Sequence, residues 1–179
     1  MSSAERYVPH YTVDDYQRWE GDWELWGGHA VSMVPSPFGS HSKVTGRVVT
    51  AITNAIDASD CRANVLPEID WVVSQDTVVR PDVVVVCGDP PERHVVSAPA
   101  VVVEVLSEST RERDLGPKQT IYQEQKVPYY LILDPDAGVL TALELGKNGS
   151  YAEVRVSDSL ILKICGDCEL DVDVRRLFG

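Results

Sequence analysis

The chain has 179 residues, of which 44% are hydrophobic and 25% are charged, and its formal net charge is −12. This composition is typical of a globular domain large enough to bury its own core. Acidic side chains outnumber basic ones in every third of the chain, by 8 to 4, 10 to 6 and 10 to 6. The sequence therefore excludes a basic arm or tail of the kind that binds nucleic acid non-specifically.

The sequence shows neither a signal segment nor a membrane span. It opens with Met-Ser-Ser-Ala-Glu-Arg-Tyr and contains no run that approaches the roughly 18 apolar residues of a spanning helix. We therefore expect a cytoplasmic protein.

Four cysteines are present, Cys61, Cys87, Cys165 and Cys168. Cys87 ends an apolar run and resembles a small core residue. Cys165 and Cys168 form a single C-x-x-C pair with no second pair and no nearby histidine, which argues against a zinc site. We therefore expect four reduced thiols.

The first predicted elements are a short helix and a hairpin. Thr12-Val-Asp-Asp15 resembles a capping box that opens a helix to about Glu20. Residues 22–34 fit two short strands joined by a tight turn at Gly27-Gly28. Glu24 lies in the first of these strands. A solvated strand face accounts for it, and the alternative is that it supplies a third acid to the site proposed below.

Residues 40–57 have the pattern of an amphipathic helix, capped by Ser40 or Ser42. Its apolar side chains recur at a spacing of four, which places them on one face against a sheet: Val44, Val48, Ile52 and Ile56. Three basic side chains lie off this stripe: His41, Lys43 and Arg47. They form either a solvated basic face or a set of phosphate contacts beside an active site.

The centre of the chain has the pattern of a buried sheet. Strands are predicted over residues 61–66 and 68–74, and then over 80–87 and 100–106. The apolar runs 83–86 and 100–103 show no alternation, as in strands that are covered on both faces. Each of the predicted strands 80–87 and 100–106 carries one acid, Asp82 in the first and Glu104 in the second.

A polar turn at 107–116 leads into a helix that begins near Arg113 or Asp114, so that Pro117 falls in its first turn. Strands follow at 129–134, at 139–145 and 151–156 around an Asn-Gly turn, and at 160–164 and 168–172, with a helical C-terminus up to residue 178. This order predicts one domain, residues 1–179, with a mixed α/β (α+β) fold. A central mixed β-sheet would be flanked by helices, with additional N-terminal and C-terminal β-hairpins.

Asp82 and Glu104 together suggest a metal site. A carboxylate within a valine-rich strand is costly unless it is paired or binds a cation. Neighbouring strands lie about 4.8 Å apart, so acids at adjacent strand ends can share one ion, and oxygen ligands suit Mg²⁺ or Mn²⁺. Lys118, on the helix that follows, would then position a water or stabilise developing charge. The alternative is structural: Asp82 caps a turn, and Glu104 forms an ion pair with Lys118.

Several ordered motifs resemble a restriction-endonuclease family within the PD-(D/E)XK nuclease superfamily. They are Arg80-Pro-Asp82, then Val-Glu104-Val-Leu-Ser-Glu-Ser-Thr110, then Asp114 with Lys118 and Tyr122, and then Val127-Pro-Tyr-Tyr-Leu-Ile-Leu-Asp-Pro135. The segment Glu24-Leu-Trp-Gly-Gly-His-Ala-Val-Ser-Met and His41 resemble the opening of the same family. The resemblance spans roughly residues 11–145.

The resemblance implies a restriction-endonuclease-like fold and Mg²⁺- or Mn²⁺-dependent hydrolysis of DNA by a homodimer. It implies that Asp82, Glu104 and the carbonyl of Val105 hold the ion. On its place in the first hairpin strand, we expect Glu24 to complete the acidic cluster. In this superfamily a lysine usually lies two residues after the second acid, and that position here is Leu106. The D-x-x-x-K spacing transfers the role of assisting the attacking water to Lys118.

The basic side chains expected to contact phosphate are His41, Lys43, Arg47 and Arg111. An alternative function stays open. The chain would then be a catalytically weak or inactive nuclease-fold protein that acts as a dimeric interaction module, which the acidic net charge favours.

Overall fold

The structure is a computed structural model that describes residues 8–33 and 39–179. The helices are α1 (Val13–Tyr16), α2 (Gly39–Asp57), α3 (Arg111–Arg113) and α4 (Gln119–Glu124), with a π-helical segment, Asp114–Lys118, between the last two. The strands are β1 (Trp23–Trp26), β2 (His29–Ser32), β3 (Ala63–Pro67), β4 (Trp71–Ser74), β5 (Thr77–Val79), β6 (Val83–Cys87), β7 (Val101–Val105), β8 (Tyr129–Asp134), β9 (Val139–Leu145), β10 (Tyr151–Val154), β11 (Ser159–Ile164) and β12 (Cys168–Asp173). Within the described ranges, no helix is long and apolar enough to cross a membrane.

The central sheet has six strands in the order β10-β9-β8-β7-β6-β3. β7 and β8 run parallel because the helical segment 111–124 connects them, and the other neighbouring pairs are antiparallel. In the antiparallel pair of β6 and β7, Val83 lies opposite Val103. The start of β6 therefore lies beside the end of β7. This register brings Asp82 and Glu104 to the same end of the sheet.

Both faces of the central sheet are covered, as its uninterrupted valine runs predict. Helix α2 and the β11–β12 hairpin pack on one face, with buried side chains that include Val48, Ile52, Val103, Leu162 and Leu170. The other face carries Trp71, Tyr122 and Tyr130. Full burial of one such apolar side chain contributes about 1.5–3 kcal/mol. Because strand side chains alternate, Glu104 lies on the face that carries Tyr122.

A second sheet has four strands in the order β2-β1-β5-β4. It contains the predicted N-terminal hairpin, whose turn residues Gly27 and Gly28 have φ angles of +52° and +80°, a conformation that glycine adopts without a Cβ clash. The sequence pattern does not predict β5, because three residues are too few to show alternation. Since β5 leads through residues 80–82 into β6, this sheet brings Glu24 to the same end of the central sheet.

Several predicted helix boundaries differ from the structure. The capping box is confirmed, since Thr12 and Asp15 accept each other's backbone N–H, but α1 is only four residues long. Helix α2 begins at Gly39, ahead of the predicted caps. The predicted C-terminal helix is wrong, because turns follow β12. Residues 1–7 and residue 34, the last of the predicted hairpin, lie outside the described residues.

Pro117 lies inside the π-helical segment and not in the first turn of a helix that begins near residue 113. Helical structure already begins at Arg111. A proline inside a helix lacks an N–H and clashes with the preceding turn. The wider π turn accommodates the proline ring, and such segments are frequent at functional sites.

The four cysteines are joined as two disulfides, so the prediction of four reduced thiols is wrong. Cys61 is bonded to Cys168, and Cys87 is bonded to Cys165. β3 and β6 are neighbouring strands at one edge of the central sheet, and side chains of the β11–β12 hairpin belong to the same hydrophobic cluster as side chains of these two strands. Pairing between segments so distant in sequence leaves no local pattern from which it can be predicted.

Candidate active site

A cavity of about 320 Å³ lies at the end of the central sheet where β6 begins and β7 ends. The second sheet, α2 and the π-helical segment contribute to its lining. The charged lining comprises His41, three cationic side chains and six carboxylates. The cations are Arg80, Arg113 and Lys118, and the carboxylates are Asp22, Glu24, Glu68, Asp82, Glu104 and Asp114. This excess of acidic groups makes the cavity attractive to a further cation.

Lys118 is buried at the centre of the acidic cluster. Its Nζ lies 2.7 Å from Oε1 of Glu104 and 3.3 Å from Oε1 of Glu24. Oδ1 of Asp114, one helical turn earlier, lies 3.7 Å from the same nitrogen, which also donates to the carbonyl of Arg80 at 3.4 Å. A buried ammonium requires pairing, and three carboxylates supply it.

Glu104 is held by two side chains that lie one helical turn apart. Lys118 and Tyr122 both contact its Oε1, and the Tyr122 hydroxyl donates at 2.5 Å. As the sequence predicts, the spacing of four residues puts these two side chains on one face of the helical segment. The carboxylate of Glu104 is thereby fixed at the end of β7.

Asp82 joins the strand ends to helix α2. Its Oδ2 accepts a hydrogen bond from the backbone N–H of Val105 at 2.6 Å and lies 3.4 Å from Nε2 of His41. The hydrogen bond to Asp82 raises the pKa of His41, although burial acts in the opposite direction. His41 is therefore more easily protonated than a free histidine.

Glu24 does not lie on a solvated strand face, because its residue is only 3% exposed. Its Oε1 accepts a hydrogen bond from the backbone N–H of Arg80 at 2.6 Å. The guanidinium of Arg80 in turn pairs with Asp70 at 2.7 Å and with Asp22 at 2.9 Å. Glu24 and Arg80 thus fix the segment that connects the two sheets and place Asp82 at the start of β6.

The buried charges shift one another's pKa values. Burial raises the pKa of Glu104 well above its usual range, and the positive charge of Lys118 only partly opposes the shift. Burial also raises the pKa of Asp114 to about 6, again against the effect of Lys118. Burial alone would lower the pKa of Lys118, but the surrounding carboxylates outweigh it and raise that pKa. Lys118 is therefore charged at neutral pH, while the buried acids hold protons more readily than usual.

Of the four side chains predicted to contact phosphate, His41 is the one that lines the cavity in the described part of the chain. Lys43 donates to a backbone carbonyl near the C-terminus at 3.3 Å. Arg111 pairs with Asp134 at 2.7 Å. Nη1 of Arg47 is buried and finds no hydrogen-bond partner among the described residues. Phosphate contact by these side chains stays a prediction.

Five charged cavity residues were not predicted as site residues: Arg80, Arg113, Asp114, Asp22 and Glu68. Arg80 and Asp114 lie inside motifs that carry the family resemblance, and the spacing of four between Asp114 and Lys118 is a usable signal of their contact. Arg113 donates to the carbonyl of Ser32 at 2.7 Å. Its position depends on how the N-terminal hairpin meets the helical segment, and no local pattern marks it.

Asp82 and Glu104 offer oxygen donors of the kind that a hard divalent cation prefers. Among residues 8–33 and 39–179, no group of three or more His, Cys, Asp or Glu side chains is arranged to hold a metal ion. The contacts of Asp82 fall on Oδ2 and those of Glu104 on Oε1, so each carboxylate has a second oxygen outside these contacts. Mg²⁺ is commonly held by one or two carboxylates together with waters and substrate phosphates. Asp82 and Glu104, at adjacent strand ends, are the side chains that could make this contribution.

Comparison with known proteins agrees with this architecture. The family model Uma2, described as "Putative restriction endonuclease", matches residues 13–173. The uncharacterized protein slr1290 of Synechocystis sp. is 27% identical over 168 residues, which cover 88% of this chain and 87% of that protein. The crystal structure of "a putative nuclease belonging to DUF820" from Anabaena variabilis is similar with a TM-score of 0.73 and 17% identity, over 93% of this chain and 97% of that one. At that identity the structural likeness shows the fold alone. The predicted family resemblance and the mixed α+β fold are both confirmed.

Proposed function

Because the chain belongs to the Uma2 family, we propose that it is a metal-dependent endonuclease that hydrolyses DNA phosphodiester bonds. One observation carries the proposal: Lys118 is buried among acids at the strand ends where Asp82 and Glu104 meet. Lys118 and Glu104 make the contact of a structural ion pair. A purely structural ion pair, however, needs only one acid for one lysine. Here three acids surround one ammonium, and three more line the same cavity. Such a surplus of acids around a buried lysine is typical of a functional site.

We propose that Asp82, Glu104 and the backbone carbonyl of Val105 hold Mg²⁺ or Mn²⁺. When bound, the ion would polarise the phosphoryl group and lower the pKa of a water molecule. The contacts of Glu24 with the N–H of Arg80 and with Lys118 favour a supporting position in the acidic cluster. Glu24 would hold the ammonium beside Glu104 and leave the ion to the other two acids.

Lys118 would assist the attacking water as a charged hydrogen-bond donor. The surrounding carboxylates keep its pKa raised, so it does not act as a general base at neutral pH. A fixed positive charge next to the scissile phosphate orients the water and stabilises the negative charge that develops in the transition state. Tyr122 keeps Oε1 of Glu104 in place through its hydroxyl.

The acidic lining favours phosphate entry only together with a cation. His41, which lines the cavity beside Asp82, is the first expected phosphate contact, and Arg113 lines the same cavity. Lys43, Arg47 and Arg111 lie outside this cavity and would contact the DNA backbone further along.

We also propose that the protein acts in the cytoplasm as a homodimer. Light scattering should then give twice the chain mass of 19.8 kDa, and a monomer at assay concentration would contradict the dimer.

Calorimetric titration of Mg²⁺ and Mn²⁺ tests the metal site directly. Wild-type protein is expected to bind one ion, and Asp82→Asn and Glu104→Gln are each expected to lose binding, because each removes one of two carboxylate ligands. Asp89→Asn is the matched control, since Asp89 is 88% exposed and lies outside the cavity. Retained affinity in either active-site variant would place the ion elsewhere.

The alternative function is a nuclease-fold protein that acts as a dimeric interaction module. The ion pair between Lys118 and Glu104, at 2.7 Å, is the observation in its favour, because it already gives the Glu104 carboxylate a cation. This function predicts no divalent-ion binding even when a short DNA duplex is added, and it predicts a stable dimer. Ion binding that depends on Glu104 would exclude it.

A further inference from the structure

A second cluster of reactive side chains lies at the end of β6 that is far from Asp82. Cys61, Cys87, Cys165 and Cys168 line one surface pocket together. We propose that these four sulfurs, once reduced, bind one Zn²⁺ ion as a tetrathiolate site. The two disulfides of the structure are then the oxidised state of the same cluster, in which the described side chains are not arranged to hold an ion, so that reduction must precede zinc binding.

The fold brings the four cysteines together from three separate segments. Ala63 lies opposite Cys87 in the β3–β6 pair, and the N–H of Gly88 donates to the carbonyl of Arg62 at 2.8 Å. This contact extends the pairing to the neighbourhood of Cys61. Cys61, which precedes β3, and Cys87, which ends β6, are therefore neighbours at the edge of the cysteine-lined pocket.

The β11–β12 hairpin supplies the other two cysteines from its turn. Ile164 lies opposite Cys168, so Cys165 and Cys168 flank the turn. The Cα atoms of Cys61 and Cys168 are 5.6 Å apart, and those of Cys87 and Cys165 are 5.5 Å apart. Each cysteine of the turn thus faces a cysteine of a different sheet strand. Because both pairs share one turn and all four cysteines line one pocket, the two pairs are neighbours.

This arrangement suits zinc. Zn²⁺ is bound tetrahedrally by four cysteines at about 2.3 Å in structural sites, and C-x₂-C is the usual spacing of one ligand pair. Sulfurs on a common zinc are about 3.8 Å apart by tetrahedral geometry, which cysteines with neighbouring Cα atoms reach by side-chain rotation. Thiolates are soft ligands and select zinc over Mg²⁺, so this cluster would take a different ion from the carboxylate cavity.

The conversion between the two states balances. A dithiol reductant gives two electrons and two protons to each disulfide and is itself oxidised to a disulfide, which leaves four thiols on the chain. Binding of one Zn²⁺ then releases the four thiol protons. In the cytoplasm, where the proposed function would place the protein, thiols are normally kept reduced. That last point rests on the proposed function, while the convergence of the four sulfurs does not.

The site would be structural. β11 and β12 form an isolated two-stranded sheet, and such a hairpin is marginally stable without further support. Its buried residues pack against α2 and the central sheet. A zinc ion held jointly by the hairpin turn and by the ends of β3 and β6 would anchor the hairpin on this face.

Cobalt titration of the full-length protein tests the inference. The protein is reduced under anaerobic conditions with a phosphine, which does not compete as a thiol ligand, and is titrated with Co²⁺ as a spectroscopic probe. We expect one Co²⁺ per chain, with the charge-transfer and visible bands of tetrahedral cobalt thiolate, and displacement by one equivalent of Zn²⁺. Asp167→Asn, in the same turn but not a ligand, should bind like the wild type. Cys168→Ser should lose the four-sulfur spectrum.

The oxidised wild-type protein is the second control, because it is folded and carries no free thiol on these four positions. It should show no cobalt-thiolate bands, and zinc should raise the melting temperature of the reduced protein more than that of the oxidised protein. Absence of a cobalt thiolate spectrum in folded, reduced wild type would overturn the inference. An unchanged spectrum in Cys168→Ser would overturn it as well. Both results are independent of Mg²⁺ binding at Asp82 and Glu104, so failure of one site leaves the other standing.

Discussion

Replacement of Lys118 by methionine tests the balance of buried charges in the cavity. Methionine keeps a long side chain but removes the ammonium that lies within 2.7–3.7 Å of three carboxylates. At an effective dielectric constant of about 20, one charge pair 4 Å apart is worth about 4 kcal/mol. Removal of one partner from a buried ion pair usually costs about 3–5 kcal/mol. We expect a loss of that size at pH 8.

The loss should shrink as the pH falls. Glu104 and Asp114 already have raised pKa values, and removal of the ammonium would raise them further. An acid whose folded-state pKa is raised binds more protons in the native state than in the unfolded state, so its contribution to stability increases as the pH falls. Mg²⁺ should also stabilise Lys118→Met more than the wild type, because the ion restores a cation beside the carboxylates.

Urea unfolding followed by tryptophan fluorescence at pH 8 and pH 5.5 measures both effects. The matched control is Lys163→Met, since Lys163 is 72% exposed and pairs with Glu169 only at 3.7 Å. A surface pair of this kind contributes about 0–1 kcal/mol. The reasoning is refuted if Lys118→Met loses no more stability than Lys163→Met at pH 8, or if its loss is the same at both pH values.

Two further substitutions in the cavity have distinct expected results. The pKa of Asp114 is raised to about 6, so ionisation of this side chain lowers the free energy of unfolding as the pH rises from about 4 to about 6. Asp114→Asn should remove this dependence and raise the free energy of unfolding by up to about 3 kcal/mol at pH 7. Urea curves recorded across this range measure it, and an unchanged pH profile would contradict the assignment. Tyr122→Phe removes the hydroxyl that donates to Glu104 and should cost about 1.5–3 kcal/mol while leaving Mg²⁺ binding intact. Loss of calorimetric Mg²⁺ binding in this variant would show that the hydroxyl does more than orient the carboxylate.

The central sheet could be predicted from the sequence because its signals are local. The valine runs in β6 and β7 identify strands covered on both faces, and the acids within them stand out against that background. Asp82 and Glu104 could therefore be placed at neighbouring strand ends before the pairing was known. The register of Val83 opposite Val103 then confirms their proximity.

The remainder of the site depends on contacts between distant segments. Alternation shows which side chains share a face with Glu24, but it does not show that β5 and the 80–82 segment cover that face. The positions of Arg80 and Arg113 likewise follow from the docking of the N-terminal hairpin. Secondary-structure patterns alone do not contain this information.

The pairing of the cysteines also depends on contacts between segments that are distant in sequence. The C-x-x-C pair has no second pair nearby in sequence, and on that ground neither a disulfide nor a zinc site was expected. In the fold, Cys61 and Cys87 lie beside the hairpin turn as the missing second pair. Two adjacent strands supply it, although the two cysteines are far apart along the chain.

Nicking of supercoiled plasmid DNA tests the central claim most directly. Wild-type protein should convert the plasmid to open-circular or linear forms in Mg²⁺ or Mn²⁺ and not in chelator, while Glu104→Gln, prepared identically, should leave it supercoiled. Asp89→Asn should cleave at the wild-type rate, because its side chain is exposed and outside the cavity. Equal cleavage by wild type and Glu104→Gln, or cleavage that persists in chelator, would contradict a metal-dependent site at Asp82 and Glu104.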